Sequence, residues 1–384
     1  MIVLASALIT GCFKSSGSHA LLPEILRAED HYARMEPSRA LEILVPMLKA
    51  EPDGLPDKYF EVRIKSHLRA LQFKQALDSV LLWEKQVGKT FPDKRRHVLI
   101  SFIRNRATIP NPQVQVEAVK ALGSLKDKKM KQYLQEMFPQ SDALVKLSIA
   151  HAMTSLDDFD RAIKYLTERS QYGSRNERFL ASLYLIELRD LRLKDFYLKL
   201  LDDSENAIRA LGLNIVGEMK ILEGRDKIRG MRDNSVSWSM KILTSQALYR
   251  LGDRQAEAEL IEALKIPDLA KSVQLLLAQI GRKASLNQLK SKYSDLSDEE
   301  KSALLKLLSE QGETDFVLDR CRENLKSLLG EIFGQKMYLE LLGDFGGIED
   351  FDLLIPFLAS PFEQVRVSGV LSMIKILDRQ DSIN

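Results

Sequence analysis

Little in this sequence breaks a helix. Among 384 residues there are 19 glycines and 12 prolines, and the alternating β-branched runs that strands need are nearly absent. Gly and Pro interrupt helices, and β-rich folds use more turn residues than these numbers supply. Cysteine is scarcer still: Cys12 and Cys321 are the two thiols, too few for a disulfide framework in so long a chain. The five histidines are scattered, with no two of His19, His31, His67, His97 and His151 within five residues of each other. A tetrahedral zinc site, whose ligands come in close pairs, is therefore not expected, and no cofactor is implied.

What is present points one way. Apolar residues make up 45% of the chain and charged residues 29%, a balance that buries a core and keeps a solvated surface. Leu, Ala, Lys and Glu dominate, all good helix formers. The fold class expected is all-α. At this length a single compact core is exceeded, so two domains or a repeat array must follow.

The formal charge of +2 hides an uneven distribution. Residues 58–132 hold 17 Lys/Arg against 6 Asp/Glu, whereas residues 296–363 hold 15 Asp/Glu against 6 Lys/Arg. The chain is electrically polar along its length.

Helical punctuation recurs. Two hairpins are expected before residue 92: LLPEILRAEDHYARM with SRALEILVPMLKAEP, then DKYFEVRIKSHLRALQ with FKQALDSVLLWEKQV. Ala40 and Ala76 open the second helices, 36 residues apart, and Pro52 follows Ala40 by twelve. This spacing resembles a tetratricopeptide repeat, although Glu24 and Ala28 stand where that repeat carries Trp and Gly. Further on, Asn111-Pro112 opens a helix as N-cap and first-turn residue. Val114, Ala118, Ala121 and Leu122 then form one apolar stripe, and Gly123 is expected to end it in the left-handed conformation.

The same skeleton returns as ENAIRALGLNIVG at 205–217 and as QVRVSGVLSMIKIL near the end. Gly252, Gly281, Gly312 and Gly346, with Leu156 and Leu188, keep a rhythm close to 32 residues. Ser297 with Glu300 makes a capping box, and Pro267 opens another repeat. A sustained period of this size marks an α-solenoid, because one hairpin cannot bury its apolar face alone. The segments resemble short HEAT repeats. That likeness implies a solenoid of stacked hairpins whose concave face, lined by second helices, serves protein recognition.

At the N-terminus, MIVLASALIT precedes Gly11 and Cys12, then the polar run KSSGSH. Ten apolar residues are too few to span a bilayer of about 30 Å and suit the apolar region of an export signal. Ile9-Thr10-Gly11-Cys12 resembles a bacterial lipobox, with Ile9 where Leu is more usual and no Lys or Arg before the apolar run. The resemblance implies diacylation of Cys12 and residence in the cell envelope, on the periplasmic side or at the outer membrane. The domain plan expected is a signal (1–11) and tether within 1–18, tetratricopeptide-like hairpins over 19–91, and a HEAT-like solenoid over 92–384.

No catalytic constellation emerges. Gly88-Lys89-Thr90 looks like the end of a phosphate loop, but Trp83 stands where its leading Gly belongs and a helix precedes it. His151, Cys321, Trp83 and Trp238 all read as packed side chains. The leading functional candidates are basic: Lys94, Arg95 and Arg96, and Lys126, Lys128, Lys129 and Lys131, near turns between helices. Their charge suits anionic lipid head groups or a partner. The expectation is a non-enzymatic, lipid-anchored scaffold that binds protein. The alternative is a cytoplasmic nucleic-acid binder using residues 58–132, against which the acidic C-terminal third weighs. An enzyme resembling the HEAT-like bilin lyases has no support beyond the repeat itself.

Overall fold

The computed structural model describes residues 21–50, 54–156, 158–235, 237–281, 283–326 and 332–383. Among them are 22 α-helices and no strand, stacked as neighbouring hairpins, so the chain is an all-α solenoid. The helices form two compact units.

The first unit begins with α1 (Leu22–Ala33), α2 (Pro37–Ala50), α3 (Asp57–Arg69), α4 (Phe73–Val87) and α5 (Pro92–Ala107). The expected hairpins are α1/α2 and α3/α4. Ala40 and Ala76 are fully buried where the paired helices approach; Pro52 lies outside the described residues. Met35 and Leu71 make the two tight turns with positive φ of 66° and 58°. In each turn the next N–H reaches back to close it, Glu36 to His31 O at 2.9 Å and Gln72 to His67 O at 2.8 Å. The unit is completed by the other end of the chain: the last residues of α20 (Ile332–Phe345), then α21 (Phe351–Leu354) and α22 (Glu363–Ile383). The α22 helix packs along α5, where Arg96 Nε meets Asp378 Oδ1 at 2.9 Å and Arg106 Nε meets Glu363 Oε2 at 3.1 Å.

The second unit spans 110–341. Its helices alternate as first and second members of pairs: α6 (Pro112–Ser124) with α7 (Lys128–Met137), α8 (Ala143–Thr154) with α9 (Phe159–Tyr172), and α10 (Arg175–Glu187) with α11 (Lys194–Leu200). Next come α12 (Asn206–Glu218) with α13 (Arg225–Asp233), α14 (Trp238–Arg250) with α15 (Gln255–Ala263), and α16 (Pro267–Gln279) with α17 (Lys283–Ser291). The last are α18 (Asp298–Glu310) with α19 (Thr314–Lys326), then most of α20. Asn111 caps α6, its side chain accepting from Gln113 N at 3.0 Å and Val114 N at 3.3 Å. Val114, Ala118, Ala121 and Leu122 are buried as the stripe predicts. The Ser297–Glu300 capping box forms on α18, and a second, Ser174–Glu177, opens α10.

Gly123 does not end its helix in the left-handed region. It lies within α6, and the left-handed residue is Lys126, with φ of 51°. What Gly123 supplies is closeness: a Cβ built on it would stand 2.5 Å from Ala152 Cβ and 2.9 Å from Ala152 Cα of α8. Gly217 meets Ala247 of α14 in the same way, at 3.0 Å from Cα. Left-handed turns recur at Lys126, Arg189, Lys220, Gly252, Gly281 and Gly312, all with positive φ. In three of them an aspartate follows and caps the next segment: Asp127 accepts from Lys129 N, Asp190 from Arg192 N and Asp253 from Gln255 N.

First helices pack on first helices through most of this unit. The inner surface is accordingly theirs, and not that of the second helices as the HEAT likeness implies. Their polar side chains meet across the interior. Lys336 Nζ of α20 pairs with Glu117 Oε2 of α6 at 2.7 Å, 219 residues apart in sequence, both side chains about four-fifths covered. Lys306 of α18 reaches the field of Glu187 of α10, and Glu310 of α18 that of Arg250 of α14. The array thus curls far enough for its last first-helix to bond its first.

Two outcomes follow. Gly123→Ala should lower stability by about 1–3 kcal/mol through overpacking, despite Ala being the better helix former, while Gly217→Ala, with more room, should cost less; urea unfolding measures both. Lys336→Glu should destabilise by roughly 1–3 kcal/mol, the range for a lost charged hydrogen bond, and Glu117→Lys added to it should restore most of that loss. A double-mutant cycle showing no coupling would mean that packing alone joins α6 to α20.

Candidate functional site

One groove on the first unit runs between α3 and α5. Two adjoining cavities make it up. One, of about 360 Å³, is lined by Ile64, Lys65, Trp83, Lys94, His97 and neighbouring Glu61 and Asp93. The other, of about 300 Å³, is bordered by Tyr32, Lys65, Arg69, Leu71, Phe73, His97, Ser101 and Asn105. Lys65, Leu68 and His97 belong to both, so the two cavities run into each other.

Its floor is fixed by aromatic packing. Trp83 is 3% exposed; its ring lies parallel to Phe60 at 5.7 Å and tilts against Phe91 at 4.6 Å. Its Nε1 donates to Asp57 Oδ1 at 2.6 Å. Phe73 meets Phe102 edge to face at 5.3 Å, which ties α4 to α5. On the wall, Arg69 donates from Nη1 to Tyr32 O at 2.7 Å and stacks over the Tyr32 ring at 4.2 Å.

The basic residues singled out by sequence fall into different surroundings. Arg95 is consumed internally, its guanidinium gripping the buried Glu84 carboxylate, with Nε at 3.0 Å from both oxygens. Glu84 also accepts from Phe91 N. Arg96 is held by Asp378. Lys94 stays at the groove, with Nζ over the Trp83 ring at 4.5 Å and 3.9 Å from Glu61 Oε1. In the second unit Lys126, Lys128 and Lys129 are exposed at the α6–α7 turn, and Lys131 is half-buried in α7. Cys12, the lipidation candidate, lies outside the described residues.

The remaining singled-out side chains are placed plainly. Gly88 ends α4 with φ of 69°, a helix C-cap and no phosphate loop. Cys321 is fully buried, which keeps solvent oxidants from its sulfur. Trp238 departs from expectation: it starts α14 and is 43% exposed, with Lys241 Nζ 5.5 Å from its ring centre. A residue at the first turn of a helix has no preceding turn to cover it, and the stripe counted from its neighbours does not reveal that. Lys65 and Arg69 were not among the sequence candidates; their i,i+4 spacing on α3 was the available signal.

A second polar cluster lies on the inner face of the second unit. His151 stacks on Tyr184 at 4.4 Å with the rings parallel, and its Nε2 stands 3.4 Å from Glu187 Oε2. Tyr184 Oη shares a 2.6 Å hydrogen bond with Ser148 Oγ. Burial, aided by the charge on Lys120, pushes His151 down to about 4. Burial also pushes the Glu187 carboxyl up, with Lys120 and Lys306 working against it. Among the described residues no three His, Cys, Asp or Glu side chains gather to hold a metal ion, and no helix is long and apolar enough to cross a membrane.

No family model matches the chain, and no curated protein matches it.

The His151 environment has a stability consequence. Between its unfolded value near 6.5 and about 4, the unfolded chain binds the proton that the folded chain refuses, so His151 withdraws stability as pH falls through that window. The full effect is on the order of 3 kcal/mol. Glu187, with its value raised, acts in the opposite direction just above the ordinary carboxylate range. Comparing the wild type with His151→Gln isolates the first effect: the stability difference measured by denaturation should shift in favour of the variant between pH 6.5 and 4, and a difference independent of pH would refute the assignment.

Proposed function

We propose that this chain is a non-catalytic, lipid-anchored scaffold of a bacterial cell envelope that binds protein. The observation carrying the protein-binding part is the α3–α5 groove. It is an open trough with an apolar aromatic floor and a mixed polar rim, the composition of recognition surfaces. The anchor rests on the sequence Ile9-Thr10-Gly11-Cys12 and the Lys14–Ser18 spacer. In this reading the α1–α4 hairpins are tetratricopeptide-like and the repeats of the second unit HEAT-like. Acyl chains on Cys12 contribute about 0.8 kcal/mol per buried CH₂, so two or more hold the chain at a membrane. The exposed Lys126, Lys128 and Lys129 add attraction to anionic head groups, roughly 1 kcal/mol each near the surface.

The nucleic-acid alternative loses ground on two residues of its own basic stretch. Arg95 is taken up by the buried Glu84 and is not available as a phosphate contact, and Arg96 has its Nε committed to Asp378.

Intact mass and fatty-acid labelling of the protein made in a bacterial host, beside Cys12→Ser, test the anchor. Acylated protein is expected in the membrane fraction, and the variant should lose both label and membrane association. Unlabelled, full-length wild type would remove the anchor from the proposal.

A further inference from the structure

We propose that the α3–α5 groove binds an extended acidic peptide segment, whose carboxylates are met by Lys65, Arg69 and His97. The inference rests on the protein-binding reading above and names the chemistry of the partner. Three observations lead to it.

The first is shape. Two cavities of about 300 and 360 Å³ share Lys65, Leu68 and His97 and continue one another. Such a trough follows the length of a chain; a compact ligand would need one enclosed pocket.

The second is the sign of the charge at one end. The half bordered by Tyr32 and Asn105 carries Lys65, Arg69 and His97 and no acidic residue. Lys65 is exposed and has no ion-pair partner among the described residues. Arg69 is held at the wall by one N–H and a stacked ring, which leaves further donors of its planar fork for a carboxylate. On the same side Ser101 Oγ donates to His97 O and Asn105 Oδ1 accepts from Arg106, which leaves the serine oxygen as an acceptor and the asparagine amide N–H groups as donors for a peptide backbone.

The third is the contrast at the other end. Around Trp83 the lining adds Glu61 and Asp93 beside Lys94, so charge there is mixed and the floor apolar. A nucleic-acid strand would meet those carboxylates, and Trp83 and Phe73 are too deeply buried to stack with bases. A peptide with acidic residues at one end and apolar or uncharged residues at the other matches both halves.

Fluorescence anisotropy with the full-length protein tests this. The probes are labelled ten-residue peptides: one with Glu/Asp alternating with Leu at one end, its Lys/Arg counterpart, and the acidic peptide amidated at its C-terminus. The acidic peptide should bind, the basic one at least tenfold more weakly. Lys65→Glu should weaken acidic-peptide binding at least tenfold, His97→Ala several-fold, and Lys128→Glu with Lys129→Glu, in the other unit, should leave it unchanged. If amidation abolishes binding, the carboxylate recognised is a chain end; if it does not, it is a side chain, and either result supports the groove as an acidic-peptide site. Equal affinity for the basic peptide, full affinity in Lys65→Glu, equal competition by free glutarate, or no binding at 1 mM overturns it. Circular dichroism of each variant shows that it is folded. In-cell photo-crosslinking from outside the groove separates the two readings: protein adducts there, with no acidic-peptide binding, would sink this inference and leave the scaffold standing.

Discussion

At the contact of Gly123 with Ala152 there is no room for one more methyl group, and much of the second unit depends on that closeness. Small residues let consecutive first helices approach backbone to backbone: Gly123 meets Ala152, and Gly217 meets Ala247. Ala181 and Ala278, buried one repeat further along each run, keep the same position small. When one member of every pair sits nearer its neighbour than the other does, the stack must curve toward the closer side. The first helices therefore form the inner surface, and the curvature brings Lys336 back to Glu117.

Closure has an energetic meaning for a repeat array. Each repeat is stabilised by its neighbours, and an open stack leaves two ends with uncovered faces. The second unit links its first and last first-helices by an ion pair sheltered from solvent. The first unit takes another route, recruiting α22 from the far end of the sequence to lie along α5. There Arg96 and Arg106 are fixed by Asp378 and Glu363. Arginines that look like a basic patch in one dimension are pinning helices together in three.

The same reasoning separates cations that hold the fold from those left for a partner. Arg95 lies against Glu84 because burial of a carboxylate requires a counter-charge. Lys65 has no such duty and stands at the mouth of a trough whose floor is rigid, since Trp83 is locked by Phe60, Phe91 and Asp57. An exposed lysine over a packed apolar floor is a suitable arrangement for recognition, because ordering cost falls on few side chains.

The helical class, the hairpin boundaries, the Asn111 and Ser297 caps and the period near 32 are legible in the residues alone, because each is written in local spacing and short-range hydrogen bonding. The sequence also marked His151 and Trp83 as packed. It placed the left-handed turn at Gly123, whereas the backbone makes that turn at Lys126: the hydrogen bonds that close a helix select a position, and a non-glycine residue is tolerated there. Which helices face inward, where α22 docks and which lysines serve no ion pair emerge only from the folded chain. Those depend on contacts such as Lys336–Glu117 and Arg96–Asp378, between residues more than two hundred positions apart. No local pattern encodes such a pairing, because it exists only once the accumulated curvature of the intervening helices has brought the two residues together.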